Sequence, residues 1–315
     1  MAFGAIFDGN SWFHLMRLYC AFKFTPYLFI VSCSMPVVSE LYIYPVKSLG
    51  GIKVDTAELT DRGFKYDRRW MLVDNDNRFL TQREHPQMAL LQTAINNDGI
   101  YVYQKNDPSQ HITIPFSYSP GKKIVVNIWD DFCEAAIVND ELSEWFSKTL
   151  SFSCKLVHMP DDSLRKVDER YALNKEEVTS FSDAYPVLII SQASLNDLNS
   201  RLAIQLPINR FRPNIVIEGC EPYEEDAMQH FTISGVDFYG VKLCARCAIP
   251  TINQDTMEKS KEPTRTLYSY RRREHNVYFG QNVLYHGAGI IHVGDTVTIL
   301  QKSDMPVFDR GVVIQ

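Results

Sequence analysis

Two cysteines flank an arginine in the segment CARC at residues 244–247. A structural zinc site needs four ligands, and the sequence has neither a second CxxC pair nor a finger-like histidine pair. A thioredoxin-like redox pair would begin a helix, which Pro250 does not favour. The thiols are therefore either small buried hydrophobic side chains or, because a guanidinium stabilises a thiolate, a nucleophile or a ligand for a soft metal.

Three cationic side chains stand at the ends of predicted strands. Lys47, next to Ser48, follows the first strand, Arg68 precedes the strand at Trp70, and Arg212 precedes a later one. Most lysines and arginines are simply exposed surface charges. Loops at strand ends, however, commonly present functional groups over a rigid sheet. If these cations converge, they would suit a phosphate-bearing anion, which arginine can bind through two hydrogen bonds.

The composition is that of an ordinary globular protein. The chain has 315 residues, about two domains' worth, with 45% hydrophobic and 22% charged residues. Its net charge of −6 argues against a general nucleic-acid binder, so the basic run at 271–273 is interpreted as a solvated loop. Seven scattered cysteines indicate reduced thiols and a cytoplasmic protein. Walker, GxSxG, HExxH and Rossmann motifs are lacking, which argues against the common NTPases, hydrolases, zincins and dehydrogenases.

The first half of the chain reads as short strands separated by turn residues, which is typical of a small barrel or sandwich. A hairpin is predicted around residues 74–77. Another is predicted around residues 97–99, with Gly99 at a positive φ. The predicted strands comprise residues 37–44, 70–73, 78–81, 124–129 and 133–138.

In the second half the hydrophobic period changes. Leu142, Phe146 and Leu150 predict one face of a helix that begins after Asn139 or Asp140. A second helix is predicted from the leucines at 195, 198 and 202, and a polar loop or lid from residues 160–181. The domain boundary is expected within residues 150–180. Further predicted strands comprise residues 155–158, 187–190, 214–217, 231–233, 236–239 and 290–300.

Residues 1–34 differ from the rest and contain few charges. The segment Ile30-Val31-Ser32-Cys33 is similar to a bacterial lipobox, which would make Cys33 lipidated, and another kind of membrane anchor is also open. The preferred interpretation is a non-native or disordered extension that precedes a true start at Met35.

Seven segments, in order, resemble the motifs of the MOSC proteins (molybdenum cofactor sulfurase C-terminal domain). The resemblance covers residues 36–302 and is greatest to the mitochondrial amidoxime-reducing component and its bacterial relatives. It implies a β-rich α+β fold with an N-terminal β-barrel domain at 36–155, a MOSC β-barrel domain at 156–302 with a few flanking helices, and a tail at 303–315. The segments are YPVKS at 44–48, DRRW at 67–70, SDAYPVLIIS at 182–191, SQASLNDLNSRL at 191–202, NRFRPNIVIEG at 209–219, ARCAIPTINQDT at 245–256, and FGQN with VGD at 279–282 and 293–295.

The resemblance also implies a site for a pterin molybdenum cofactor. Cys247 would be the catalytic thiolate ligand of molybdenum, a role that suits a soft donor. Where the relatives carry small hydroxyl residues, this chain has alanine at 184 and 245 and tyrosine at 185, and where they carry glycine it has Met257. Nearby Asp255 and Thr256 could hydrogen-bond a ligand or close a turn. The other implied cofactor-contacting residues are Lys47, Ser48, Arg68, Asp183, Ala184, Tyr185, Arg212, Ala245 and Arg246.

The activity implied by the resemblance is reduction of N-hydroxylated compounds such as amidoximes, hydroxylamines and N-hydroxy bases. No plant-type ferredoxin cysteine pattern occurs, so the electrons are expected from a separate ferredoxin-, flavoprotein- or haem-type donor. Two alternatives stay open. One is a sulfur-carrier module with a persulfide on Cys247 or Cys244, and the other is a cofactor-binding protein without turnover. A pyridoxal phosphate enzyme with a Schiff base on Lys47 is disfavoured.

Overall fold

Strands dominate the computed structural model, which describes Met1, residues 35–119 and residues 121–304. This part of the chain is β-rich with few helices, as predicted. Its α-helices are α1 (Asp140–Leu150), α2 (Gln192–Ser200) and α3 (Thr264–Tyr270). Its strands are β1 (Val37–Ile43), β2 (Ile52–Val54), β3 (Thr56–Glu58), β4 (Trp70–Val73), β5 (Leu91–Ile95), β6 (Gly99–Gln104), β7 (Asp107–Pro115), β8 (Lys123–Ile128), β9 (Asp131–Ile137), β10 (Lys155–His158), β11 (Val187–Ser191), β12 (Ile215–Glu218), β13 (Met228–Ile233), β14 (Val236–Ala245), β15 (Arg272–Arg273), β16 (Asn276–His286), β17 (Ile290–His292) and β18 (Val297–Lys302).

The lipobox and the other membrane anchors considered for residues 1–34 lie outside the described residues. Within the described residues, no helix combines the length and the apolar character needed to cross a bilayer.

A large mixed sheet organises the second half of the chain. Its strand order is β18-β13-β14-β16-β11-β12-β1-β2, with β15 paired to β16. Neighbours are antiparallel except β11 and β12, which run parallel. Val38, Leu41, Phe231 and Phe238 are fully buried against one face of this sheet. Because β1 pairs with β12, the sheet includes strands from both predicted domains, and the exact domain boundary stays a prediction.

Two smaller sheets and one helix organise the first half. The strand orders are β5-β6-β7 and β4-β10-β9-β8. Helix α1 buries Leu142, Phe146 and Leu150 against them, in the predicted apolar face. The Asn139 side chain accepts a hydrogen bond from the Leu142 backbone N–H at 2.8 Å, so the predicted helix cap is confirmed at this residue.

Some local predictions were wrong. Residues 78–81 make only isolated bridges, because β4 takes β10 as its neighbour instead. Strand β16, the longest, was missed because it is buried on both faces and therefore shows no alternation. The predicted strand at 290–300 is interrupted and forms β17 and β18. Strand β7 and helix α3 were also not predicted.

Gly99 is needed for a reason other than the predicted positive φ, which it does not have. A Cβ atom at this position would lie 2.0 Å from the Ile114 carbonyl oxygen of β7. We expect Gly99→Ala to lower the free energy of unfolding by about 2–3 kcal/mol, because the two strands must separate. Urea unfolding measures the change. Asp98→Ala, at the exposed neighbouring position, is the control. Equal stability of the two variants would contradict the predicted steric clash between the Cβ atom introduced by Gly99→Ala and the Ile114 carbonyl oxygen.

Candidate cofactor site

The ten residues implied by the resemblance all line one cavity. The cavity holds about 730 Å³ of space between protein atoms, part of it open to solvent. Five loops build it: those after β1 and β14, and those before β4, β11 and β12. Loops of this kind can place side chains that are distant in sequence around one ligand. The role of each residue stays a prediction.

Three of the lining residues have a left-handed backbone without being glycine. The φ angles are 67° at Ser48, 49° at Arg68 and 55° at Arg212. Such conformations are strained for residues with a Cβ atom and concentrate at functional sites. The strain at these positions supports a functional role for these three residues.

The two arginines enclose a buried tyrosine. The guanidinium carbons of Arg68 and Arg212 lie 4.3 and 4.2 Å from the centroid of the Tyr44 ring. Asp67, itself 1% exposed, accepts hydrogen bonds from Arg68 at 2.6 Å and from the Tyr44 backbone N–H at 2.8 Å. Burial lowers the pKa of Arg212 to about 10, so its guanidinium group stays charged at neutral pH. This arrangement holds two cations rigidly at the cavity wall.

Lys47 supplies a third cation. Its Nζ donates to the Phe181 carbonyl at 2.8 Å and to Asp183 Oδ1 at 2.7 Å. An ammonium group has three N–H donors, so one remains for a ligand. Burial lowers the pKa of Lys47 to about 8, although Asp183 opposes the shift. Burial would raise the pKa of Asp183, but the charges of Lys47 and Arg83 outweigh it and hold this pKa far below its usual range.

The pKa of Lys47 predicts a pH dependence of anion binding. Sulfate keeps its charge across the range, so it can report on the protein alone. Below pH 8 Lys47 is cationic and attracts the anion, whereas above pH 8 it becomes neutral and this attraction is lost. We expect the sulfate dissociation constant of the apoprotein, measured by calorimetry, to rise roughly tenfold between pH 7 and 9.5. Lys47→Met should bind weakly at both pH values; an unchanged rise in that variant would contradict the assignment.

The predicted polar loop at 160–181 contains no helix or strand, but it is not an open lid. Tyr171 and Phe181 are fully buried within it. Arg165, 3% exposed, donates to the carbonyls of Ser180, Ser182 and Asp183 at 2.7–3.0 Å. The loop therefore fixes the position of Asp183, and through it the position of Lys47.

Arg246 faces the other cysteine of the CARC segment. Its Nη1 lies 3.0 Å from Cys244 Sγ, and its Nη2 donates to the Phe211 carbonyl at 2.6 Å. Burial raises the pKa of the Cys244 thiol despite this guanidinium. Arg246 therefore does not make Cys244 a ready thiolate. Both Cys244 and Cys247 are half-buried and line the cavity, but only Cys247 also lines the neighbouring open groove.

Sequence reasoning missed Arg83, which lies beside Cys247. Its guanidinium donates to Asp183 Oδ2 at 3.0 Å and lies 4.5 Å from the centroid of the Trp129 ring. Burial opposes its charge, but Asp183 and the Cys247 sulfur outweigh that effect and raise the pKa of Arg83. No spacing in the sequence indicates this contact, because the two residues are far apart in the chain.

The donor set fits a cofactor that brings both a phosphate and its own metal ligands. Four cations line the cavity, Lys47, Arg68, Arg212 and Arg246, and the buried Nε of Arg246 has no hydrogen-bond partner within the described part of the chain. Among residues 35–119 and 121–304, no group of three or more His, Cys, Asp or Glu side chains could hold a metal alone. A metal here would thus take most of its ligands from the cofactor, and the thiols of Cys244 and Cys247 are the sulfur donors that line the cavity.

Comparison with known proteins agrees with this geometry. Residues 35–153 match the MOSC N-terminal beta barrel domain and residues 176–298 match the MOSC domain. The chain is 33% identical to mitochondrial amidoxime-reducing component 1 of Mus musculus over 84% of this chain and 82% of that protein, and the protein of the same name from Homo sapiens gives the same three values. It is 30% identical to the molybdenum cofactor sulfurase of rice (Oryza sativa subsp. japonica) over 80% of this chain and 33% of that protein. The chain belongs to the MOSC family. Its function is therefore related to the molybdenum cofactor.

The positions at which this MOSC protein departs from its relatives can now be placed. Ala184, Tyr185 and Ala245 line the cavity, and at the two alanines only backbone groups can hydrogen-bond a ligand. Met257 has a φ of 66°, so the turn keeps the left-handed backbone that a glycine would favour.

The segment before Met257 resolves one open alternative. Asn253 Oδ1 accepts hydrogen bonds from the backbone N–H groups of Asp255 and Thr256 at 2.9 and 3.3 Å. The Asp255 carboxylate pairs with Lys105 at 2.9 Å. Neither Asp255 nor Thr256 lines the cavity, so they close a turn.

Proposed function

We propose that this protein is a molybdenum-cofactor-dependent reductase of N-hydroxylated compounds. The observation that carries the proposal is the half-buried sulfur of Cys247, which lies at the edge of a cavity lined by four cations and also borders an open groove. The cavity suits an anionic cofactor, and the groove gives a small molecule access to the same sulfur atom.

Different residues of the cavity would contact different parts of the cofactor. Lys47, Arg68 and Arg212 would hold the phosphate, because they combine charge with free N–H donors. Arg246 and the backbone of residues 183–185 would contact the pterin, and Cys247 would bind the metal. When bound, the cofactor supplies two-electron transfer and a Lewis-acid centre.

The groove would admit the substrate. It holds about 1320 Å³ of space between protein atoms, part of it open to solvent. It is lined by Trp129, which is 47% exposed, and by charged side chains of both signs. An amidoxime is reduced by two electrons and two protons, which break the N–O bond and release an amidine and water. Trp129 offers a flat apolar surface for the planar group of such a substrate.

The electrons would come from another molecule. Among the described residues, no group of three or more His, Cys, Asp or Glu side chains could hold a second metal centre. We propose a separate ferredoxin-, flavoprotein- or haem-type donor protein. The word "component" in the names of the MOSC relatives supports an activity shared between proteins.

The test is elemental analysis of the full chain produced in a host that makes the cofactor. We expect about one molybdenum atom per chain, as for one thiolate ligand and one cofactor, and turnover of benzamidoxime to benzamidine with reduced methyl viologen as the electron source. A protein with bound molybdenum but no turnover of any N-hydroxylated compound would be a cofactor-binding protein instead.

A second candidate function is sulfur transfer. It is favoured by the match to one third of the length of a molybdenum cofactor sulfurase. In that case Cys247 or Cys244 would carry a persulfide. Intact-protein mass spectrometry distinguishes the two functions, because the carrier shows a mass increase of one sulfur atom and no bound molybdenum.

A further inference from the structure

We propose that the face of the protein formed by α3 and the segment before it docks an acidic electron-donor protein. This inference rests on the proposed reductase function and names the kind of partner. The face contains a second opening beside Cys247, with about 880 Å³ of space between protein atoms, part of it open to solvent, which we call the basic opening. It is lined by Arg246, Cys247, Ala248, Thr251, Lys261, Thr264, Arg265 and Tyr268.

The basic opening is positively charged in a negatively charged protein. Three of its lining residues are cations and none is acidic. The segment 258–276 that surrounds it has six basic and three acidic residues, whereas the whole chain has a net charge of −6. Arg265 pairs with Glu262 at 2.7 Å, whereas Lys261 has no carboxylate partner within the described ranges. A local charge opposite to that of the whole molecule orients an approaching partner.

The substrate groove, which Cys247 also lines, has the opposite charge balance. Five acidic side chains and two cations line it, and it shares Cys247 with the basic opening. An acidic protein would therefore be repelled from the groove and attracted to the basic opening. The two openings let substrate and donor approach the same centre without competing.

The face is also suited to protein contact by its side chains and its rigidity. Tyr268 is 51% exposed, and the guanidinium carbon of Arg272 lies 4.6 Å from its ring centroid. Tyrosine and arginine are among the residues enriched at protein interfaces. Helix α3 is fixed below them by the buried side chain of Leu267 and by the ion pair of Arg271 with Asp226. The surface is thus formed before a partner arrives.

The test uses the full-chain holoprotein and a plant-type [2Fe–2S] ferredoxin, an acidic carrier, as the probe. The variant is Lys261→Glu with Arg265→Glu. The control is Lys122→Glu with Lys175→Glu, which changes the net charge equally at exposed positions outside both openings. We expect the ferredoxin dissociation constant and KM to rise about tenfold or more in the variant only. The molybdenum content and the methyl viologen-driven rate should stay unchanged.

Three results would overturn the proposal. The first is a fall of the methyl viologen-driven rate in the Lys261→Glu, Arg265→Glu variant as large as the fall of its ferredoxin-driven rate, which would assign the opening to substrate. The second is an equal loss of ferredoxin binding in the control variant. The third is a lack of ferredoxin binding to the wild-type protein at low salt. Failure of the reductase function itself is distinguishable, because it would abolish viologen-driven turnover in the wild type while calorimetry still reports ferredoxin binding.

Discussion

Replacing Cys247 by alanine should give a protein that has lost molybdenum and N-reductase activity together. Cys247 is half-buried and lines the cavity, the groove and the basic opening. Within the described residues, no group of three or more His, Cys, Asp or Glu side chains could take over the metal, and the neighbouring Cys244 thiol is engaged with Arg246. Loss of a residue that only hydrogen-bonds to a metal ligand lowers metal affinity by up to about a hundredfold. Because Cys247 would be a ligand itself, we expect a larger fall in metal affinity.

The matched control is Cys244→Ala, because Cys244 lies in the same segment but contacts Arg246. That variant should keep most of its molybdenum, as measured by elemental analysis on protein of equal purity. Both variants should show the same thermal unfolding as the wild type when prepared without the cofactor. Molybdenum retained in the Cys247 variant, or lost only in the Cys244 variant, would show that the metal ligand has been assigned wrongly.

Replacing Asp67 by alanine should have the largest effect on stability among the site variants. The Asp67 carboxylate is buried and accepts hydrogen bonds from Arg68 and from the Tyr44 backbone. Its removal leaves a largely buried guanidinium without its carboxylate, which typically costs about 3–5 kcal/mol. The released Arg68 should also turn away from the cavity, so the molybdenum content should fall with the stability.

Urea unfolding of the apoprotein measures the stability effect free of the cofactor. Glu58→Ala is the control, because it breaks an exposed ion pair with Lys65 of similar length, 2.7 Å, and should cost less than about 1 kcal/mol. Asp67→Asn keeps the size of the side chain and an acceptor for Tyr44, so we expect an intermediate loss. Equal stability of the Asp67→Ala and Glu58→Ala variants would mean that the buried pair contributes little.

Local features of the fold could be predicted from the sequence because their signals are local. Helix α1 follows from the spacing of its apolar residues and from Asn139, and the hairpin of β5 and β6 follows from its turn residues. Strand β16 could not be predicted, because burial on both faces removes the alternation that indicates a strand. The order of the nine-stranded sheet depends on contacts between distant segments, such as β1 with β12, which no periodicity encodes.

In the site, too, local features could be predicted from the sequence, whereas contacts between distant residues could not. The sequence indicated the cations at strand ends one by one, and the family resemblance grouped them into one predicted site. The structure places them around one cavity. The contact of Arg83 with Cys247 and the pairing of Arg246 with Cys244 depend on side-chain directions, which spacing cannot supply. The sequence alone therefore left open which of the two thiols Arg246 contacts.

The left-handed backbone at Ser48, Arg68 and Arg212 has a consequence for the amount of this protein in a cell. Each such residue costs about 1–3 kcal/mol, a large part of the roughly 5–15 kcal/mol that stabilises an ordinary domain. A ligand that binds only the folded chain restores stability by mass action. Unfolded chains are removed continuously by proteases. The steady-state level of the protein should therefore rise and fall with the supply of cofactor, without a dedicated sensor.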